Sequence, residues 1–170
     1  VASGSANGSI GTIYAWWRED VGKITYTAVT RNATTGAMTV TTGGYVNRTS
    51  ETIAAVSDNE AMGSAAYSRT GYSFLYWMDA AGNIVATTSS FKPTKDAYDA
   101  ANGVYSIWGN PTAFYAVFTA HDFTVSFNVN GGTGALDDIV FTYDVPQNIP
   151  TAAAGGITRA GYTFGGGTTG

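Results

Sequence analysis

Short runs in which apolar and polar residues alternate, broken by Gly and Asn, constrain this chain more than any other feature. Lys23-Ile-Thr-Tyr-Thr-Ala-Val-Thr30, Ala37-Met-Thr-Val-Thr41, Ala113-Phe-Tyr-Ala-Val-Phe-Thr119 and Asp122-Phe-Thr-Val-Ser-Phe-Asn-Val129 all read with a period of two. Successive side chains of a strand point to opposite faces, so this period predicts strands with one face on a core. Between the runs stand Thr42-Gly43-Gly44, Ala81-Gly82-Asn83 and Asn130-Gly131-Gly132, residues that tolerate the backbone angles of tight turns. Helical spacing is present only over Ser50 to Ala66, through Ile53, Val56 and Glu60 behind a Ser or Thr cap, and Ser57-Asp58-Asn59 interrupts it. A strand or irregular reading of that stretch stands beside the helical one. The expectation is a mainly β chain with a short helix or none.

The runs recur in order. Arg69-Thr-Gly-Tyr-Ser-Phe74 returns ninety positions later as Arg159-Ala-Gly-Tyr-Thr-Phe164, and Thr35-Gly-Ala-Met38 returns as Thr133-Gly-Ala-Leu136. Tyr14-Ala15-Trp16 is echoed by Tyr115-Ala116-Val117, and Ala6-Asn7-Gly8 by Ala101-Asn102-Gly103. Four matches in one order point to an internal repeat. They divide the chain into the end of one module (residues 1–19), a full module (20–120) and the start of a third (121–170), so the chain reads as a piece of a longer repeat protein.

At Arg69-Thr-Gly-Tyr-Ser-Phe-Leu-Tyr-Trp-Met-Asp-Ala-Ala-Gly-Asn83 the chain resembles the Listeria–Bacteroides repeat family, the internalin B-repeat type, with its Gly-Tyr-x-Phe-x-Gly-Trp signature followed by a short hairpin. Phe123-Thr-Val-Ser-Phe-Asn-Val-Asn-Gly-Gly-Thr-Gly134 is similar to that family's first strand and turn, and Phe114-Tyr-Ala-Val-Phe118 to its last strand. Two positions depart from the pattern: Tyr76 stands where the family has Gly before Trp, and Gly167 stands at the Trp position of the third module. Thr41 to Ser64 reads as an inserted or variant region. The resemblance implies tandem small β-grasp-like modules (β-rich α+β at most) in a large exported adhesin or wall-associated bacterial protein, and it implies no catalytic residues.

Apart from the family, the motif has its own physics. Gly71 allows an unusual turn angle, and Tyr72, Phe74 and Trp77 supply large apolar area from one short strand. Strict alternation puts Tyr72, Phe74 and Tyr76 on one face, and Trp77 on the other or beyond a bulge. Gly71, Tyr72, Phe74 and Trp77, with Gly161, Tyr162 and Phe164 in the second copy, are therefore expected to be core, although such rings can also stack on carbohydrate.

Composition narrows the chemistry. A net charge of −4 with eight scattered Lys and Arg offers no patch for nucleic acid. Cysteine is absent, which removes disulfides, zinc-thiolate sites and thiol nucleophiles. No run reaches the length of a membrane helix, so membrane insertion is not expected. Charged residues are only 12% of the chain, a habit of secreted β-proteins.

His121 is the single histidine and falls at the junction between modules, where it is expected to face solvent. Asp137-Asp138 and Asp79 with Asn83 are the nearest approach to a calcium site, yet neither has the alternating spacing of a dedicated loop, and Asp79 to Asn83 reads as a hairpin turn. Glu19-Asp20 and Asp137-Asp138 are adjacent acids that a strand would turn to opposite faces, which makes them poor acid–base pairs. Lys23 could join an Asn or Asp in an isopeptide crosslink beside a buried carboxyl group; a solvated lysine is the plainer reading. The triplets at Asn7, Asn32 and Asn47 match the glycosylation pattern, which carries little weight in a bacterial protein. No catalytic, metal or cofactor-binding residue is expected.

Three functions fit these features. The first is a stalk or spacer at the bacterial cell surface or in the cell wall, whose partners are neighbouring modules of the same chain; the short Phe118-Thr-Ala-His-Asp-Phe123 junction predicts semi-rigid beads in line. The second is an adhesin module that binds host protein or glycan through exposed aromatics such as Trp16, Trp17 and Trp108, since adjacent Trp16 and Trp17 cannot both face inward on a regular strand and at least one is exposed, at a module interface or in a ligand groove. The third is self-assembly into an extracellular fibre by strand donation, because residues 1–19 resemble a module's last strand.

Overall fold

Alternating Thr, Val, Tyr and Ile build strands throughout the computed structural model, which describes residues 12–19, 21–32, 34–54, 60–94, 98–99, 104–105 and 113–167. In chain order these are β1 (Val21–Arg31), β2 (Met38–Val40), β3 (Gly44–Val46), β4 (Ser50–Ala54), β5 (Ser64–Ser68), β6 (Tyr72–Asp79), β7 (Ile84–Ala86), β8 (Ser90–Phe91), β9 (Tyr98–Asp99), β10 (Val104–Tyr105), β11 (Ala113–Ala120), β12 (Asp122–Val125) and β13 (Ile139–Thr142). The fold is mainly β, with no helix among the described residues. The helical option over Ser50 to Ala66 gives way to β4 at one end and β5 at the other, and residues 55–59 lie outside the described set.

Six strands form the main sheet, in the order β2-β1-β11-β6-β7, with β4 also paired to β1. β1 and β11 run parallel at its centre, Tyr26 opposite Phe114 and Val29 opposite Val117. Parallel neighbours need a long crossover, and here the crossover carries a second layer, the three-stranded sheet β3-β5-β8. The core lies where that layer meets the main sheet. Ile24 and Tyr26 of β1, Ile53 of β4, Ala66 of β5, Trp77 of β6 and Phe114, Ala116 and Phe118 of β11 fill it, with Phe74 and Phe91 packed alongside. The opposite face of the main sheet holds a smaller cluster of Val29, Met78 and Val117, flanked by Tyr76 and Tyr115.

Aromatic edges meet aromatic faces in this core. Tyr26 and Trp77 lie 5.9 Å apart at 83°, and Phe74 and Phe118 lie 5.8 Å apart at 74°. Trp77 is fully buried, and its indole N–H donates to the Ser89 carbonyl at 2.9 Å. Burying a ring of that size contributes roughly 4–6 kcal/mol of transfer free energy before ordering costs.

Strict alternation fails inside the motif. Val117 of β11 faces Tyr76 and Phe118 faces Phe74, so Leu75 is the extra residue of a β-bulge. The bulge brings Phe74 and Trp77 to the same core and turns Tyr76 to the opposite face, away from the Phe74 side where alternation had placed it.

One carboxylate sits among these rings. Glu51 accepts the Tyr26 hydroxyl at 2.6 Å and the Met62 and Gly63 amides at 2.8 and 3.0 Å. Burial, and then the Glu51 carboxylate, push the Tyr26 phenol far above its ordinary pKa. Lys23, the candidate for a crosslink, is exposed.

The part of the chain from Asp122 onward is sparser. β12 and β13 pair antiparallel, Phe123 opposite Phe141, as a separate two-stranded sheet. The run expected as one strand from Asp122 to Val129 is regular only to Val125. A strand exists by virtue of a neighbour, and residues 126–129 pair with none among the described residues. Tyr162 and Phe164, expected in a core, are 69% and 60% exposed, and the space around Gly161 is open. Among the described residues no facing layer covers them.

Candidate functional site

The stretches before and after His121 meet at a joint built on glycine. Gly71 ends the turn between β5 and β6 with a φ of +81°, a left-handed angle that favours a residue without a Cβ. A Cβ there would come within 2.4 Å of the Tyr143 ring, so that ring from the second copy lies directly on the Gly71 backbone. Gly43 serves Tyr72 in the same way, with the Tyr72 ring 2.2 Å from where a Cβ would stand. The two tyrosines then meet edge to face, 5.7 Å apart at 80°.

Polar contacts close the joint. The backbone N–H of His121 donates to the Gly71 carbonyl at 2.8 Å, and the His121 carbonyl accepts from the Tyr143 N–H at 2.9 Å. β11 therefore passes into β12 across one residue that stays hydrogen-bonded on both sides. The Tyr72 hydroxyl donates to Asp144 at 3.3 Å, and partial burial and that carboxylate raise the Tyr72 pKa. Asp144 itself has a φ of +58°, an angle an Asp tolerates better than most residues. Beside these groups opens a polar groove of about 560 Å³ lined by Thr42, Ser68, Arg69, Thr70, Tyr72, Tyr143 and Asp144.

His121 faces solvent at this joint, as its junction position led one to expect. Its Nε2 lies 2.8 Å from the Ser73 hydroxyl. The neighbouring acid, Asp122, is turned to the Thr142 hydroxyl at 2.6 Å, so the serine–histidine contact acts as another tie across the joint.

The Asp79–Asn83 candidate is occupied by turn chemistry. Asp79 accepts the Ala81 and Asn83 amides at 2.9 and 2.8 Å through one oxygen and the Asn83 side-chain amide at 2.9 Å through the other. Those hydrogen bonds, the Asn83 side chain first, hold its pKa below the usual carboxylate range. Among the described residues, no group of three or more His, Asp or Glu could hold a metal ion.

Trp16 and Trp17 are 84% and 87% exposed on a segment that belongs to no strand, and Trp108 lies outside the described residues. Tyr14-Ala15-Trp16 thus differs from its match, Tyr115-Ala116-Val117, which forms the middle of β11. In the first motif Gly71, Tyr72, Phe74 and Trp77 come together. Gly71 and Tyr72 serve the joint, while Phe74 and Trp77 serve the core. Gly43, read from sequence only as a turn residue, and Tyr143 and Asp144, which were missed, carry the rest of the joint. Nothing local marks them, because Asp144 finds Tyr72 across 72 positions. No family model, curated protein or solved structure matches the chain, so the likeness to the Listeria–Bacteroides repeats rests on the residues quoted for it.

Proposed function

We propose that the chain is a non-catalytic stalk or spacer segment of an extracellular bacterial surface protein, of the adhesin kind, in which successive copies are held in line by the joint at His121. The observation that carries this reading is the continuous hydrogen bonding from Gly71 through His121 to Tyr143, reinforced by the Tyr143 ring seated on Gly71. A linker of one bonded residue leaves little freedom for one copy to swing against the next, which suits a spacer that must hold a tip away from a surface. The scarcity of charge and the lack of cysteine agree with export.

Small-angle scattering on dilute protein tests the reading. An elongated particle with a narrow distribution of shapes is expected, and Tyr143→Ala should broaden that distribution without unfolding the 21–120 copy. A compact particle, or one equally loose with and without the Tyr143 ring, would sink it.

A further inference from the structure

β11 occupies a position that buries both of its faces. Phe114, Ala116 and Phe118 point into the main core, while Val117 belongs to the cluster on the opposite side, and all four are buried. Residues 12–19 carry the same pattern at a constant spacing of 101 positions. Ile13 matches Phe114, Ala15 matches Ala116 and Trp17 matches Phe118, while Tyr14 and Trp16 match Tyr115 and Val117. A run apolar on both faces is what a central strand requires. Adjacent Trp16 and Trp17 then cease to conflict, since each has a face to cover it. Yet Ile13, Tyr14, Trp16 and Trp17 are all at least 84% exposed.

The second copy offers the complementary edge. β12 pairs with β13 as the start of β1 pairs with β4, antiparallel in both cases. The other edge of β12, which corresponds to the edge of β1 that holds β11, carries no strand among the described residues. The chain just beyond it, residues 126–129, alternates Ser and Asn with half-buried Phe127 and Val129 but forms no regular strand. On β12 itself Phe123 is 51% exposed.

We propose that residues 12–19 of one copy of this chain add as a parallel strand to β12 of a second copy, in the place that β11 takes beside β1. The added strand would extend β12 through residues 126–129. Trp17 precedes the start of β1 by the same number of residues as Phe118 precedes the start of β12. Each chain would therefore be set on the next as its own two copies are set on each other. Such a head-to-tail contact does not close on itself and grows into a fibre. This goes beyond the stalk reading, which concerns copies within one chain and stands or falls with the scattering of dilute protein.

Sedimentation of the 170-residue chain over a concentration series tests it, beside an Ala15→Pro variant. Proline removes a donor from a strand paired on both edges, and Thr12 to Arg18 pair with no strand among the described residues, so the variant should fold normally, as judged by the near-ultraviolet signal of buried Trp77. The parent's mass should rise with concentration beyond that of a dimer, Ala15→Pro should remain monomeric, and an added peptide of residues 12–19 should cap growth of the parent. A parent that stays monomeric throughout, as expected if Trp16 and Trp17 serve a host glycan or protein instead, overturns the proposal. So does a proline variant that associates as well as the parent.

Discussion

The turns at Gly71 and Gly161 are closed in the same way. In the first, the Tyr72 N–H donates to the Arg69 carbonyl at 3.1 Å and Gly71 has a φ of +81°; in the second, the Tyr162 N–H donates to the Arg159 carbonyl at 3.0 Å and Gly161 has a φ of +78°. Beyond the turn the two copies diverge. Phe74 lies against Trp77 and Phe118, while Phe164 is mostly solvent-exposed. Tyr72 sits over Gly43 and against Tyr143, while Tyr162 has the Arg159 guanidinium 4.4 Å from its ring centre. The two similar hexapeptides thus share a turn and differ in everything that depends on neighbours. The lesson is that the motif encodes the turn, and the neighbouring β11 and three-stranded layer make the aromatic residues after it into a strand and a core.

The sharpest way to break this comparison is to remove a ring from each copy. Trp77→Ala should cost about 4 kcal/mol in chemical denaturation, the range for large core aromatics, whereas Phe164→Ala should shift stability by no more than about 0.5 kcal/mol. Equal effects would show that the second copy is packed after all. Substitutions at the glycines come next. Gly161→Ala should cost about 1 kcal/mol for a left-handed alanine alone, and Gly71→Ala about 2 kcal/mol, because its methyl also displaces the Tyr143 ring. The excess at Gly71 should vanish in a Tyr143→Ala background.

A pH series separates the copies further, since the first contains a buried phenol with a raised pKa. The folded state holds that proton more tightly than the unfolded chain does, so the stabilisation is complete below the unfolded tyrosine value of about 10 and is lost above it. Stability should fall by about 1.4 kcal/mol per pH unit beyond 10, and Tyr26→Phe should flatten that limb. The smallest effect concerns Asp79, whose pKa is depressed in the folded chain. Its contribution is full at neutral pH and disappears as pH falls from the ordinary carboxylate range through the lowered value. At an exposed turn this is worth less than about 1 kcal/mol, and Asp79→Asn should remove the acid-side slope without touching the second copy.

Much of the β architecture was readable because alternation and turn chemistry are local. β1, β2 and β11 lie within or just beyond their expected runs, and the Asp79–Asn83 turn joins β6 to β7. The joint was not readable. His121 and Gly71 were visible as a junction and a turn, but Tyr143 and Asp144 acquire their role only where the folded second copy meets the first. The half-buried carboxylate of Glu51 was likewise hidden, since its donors Tyr26, Met62 and Gly63 come from separate parts of the chain.

By itself the amino-acid order determined where the backbone turns and which segments extend, because φ preference and side-chain periodicity are properties of a few consecutive residues. It did not determine which rings are covered. Whether Trp77 shares a face with Phe74 hangs on a bulge at Leu75 that exists only against β11. Whether a Gly-Tyr-x-Phe strand becomes core or surface depends on partners roughly forty residues away or more, and burial belongs to the assembled sheet rather than to any one strand.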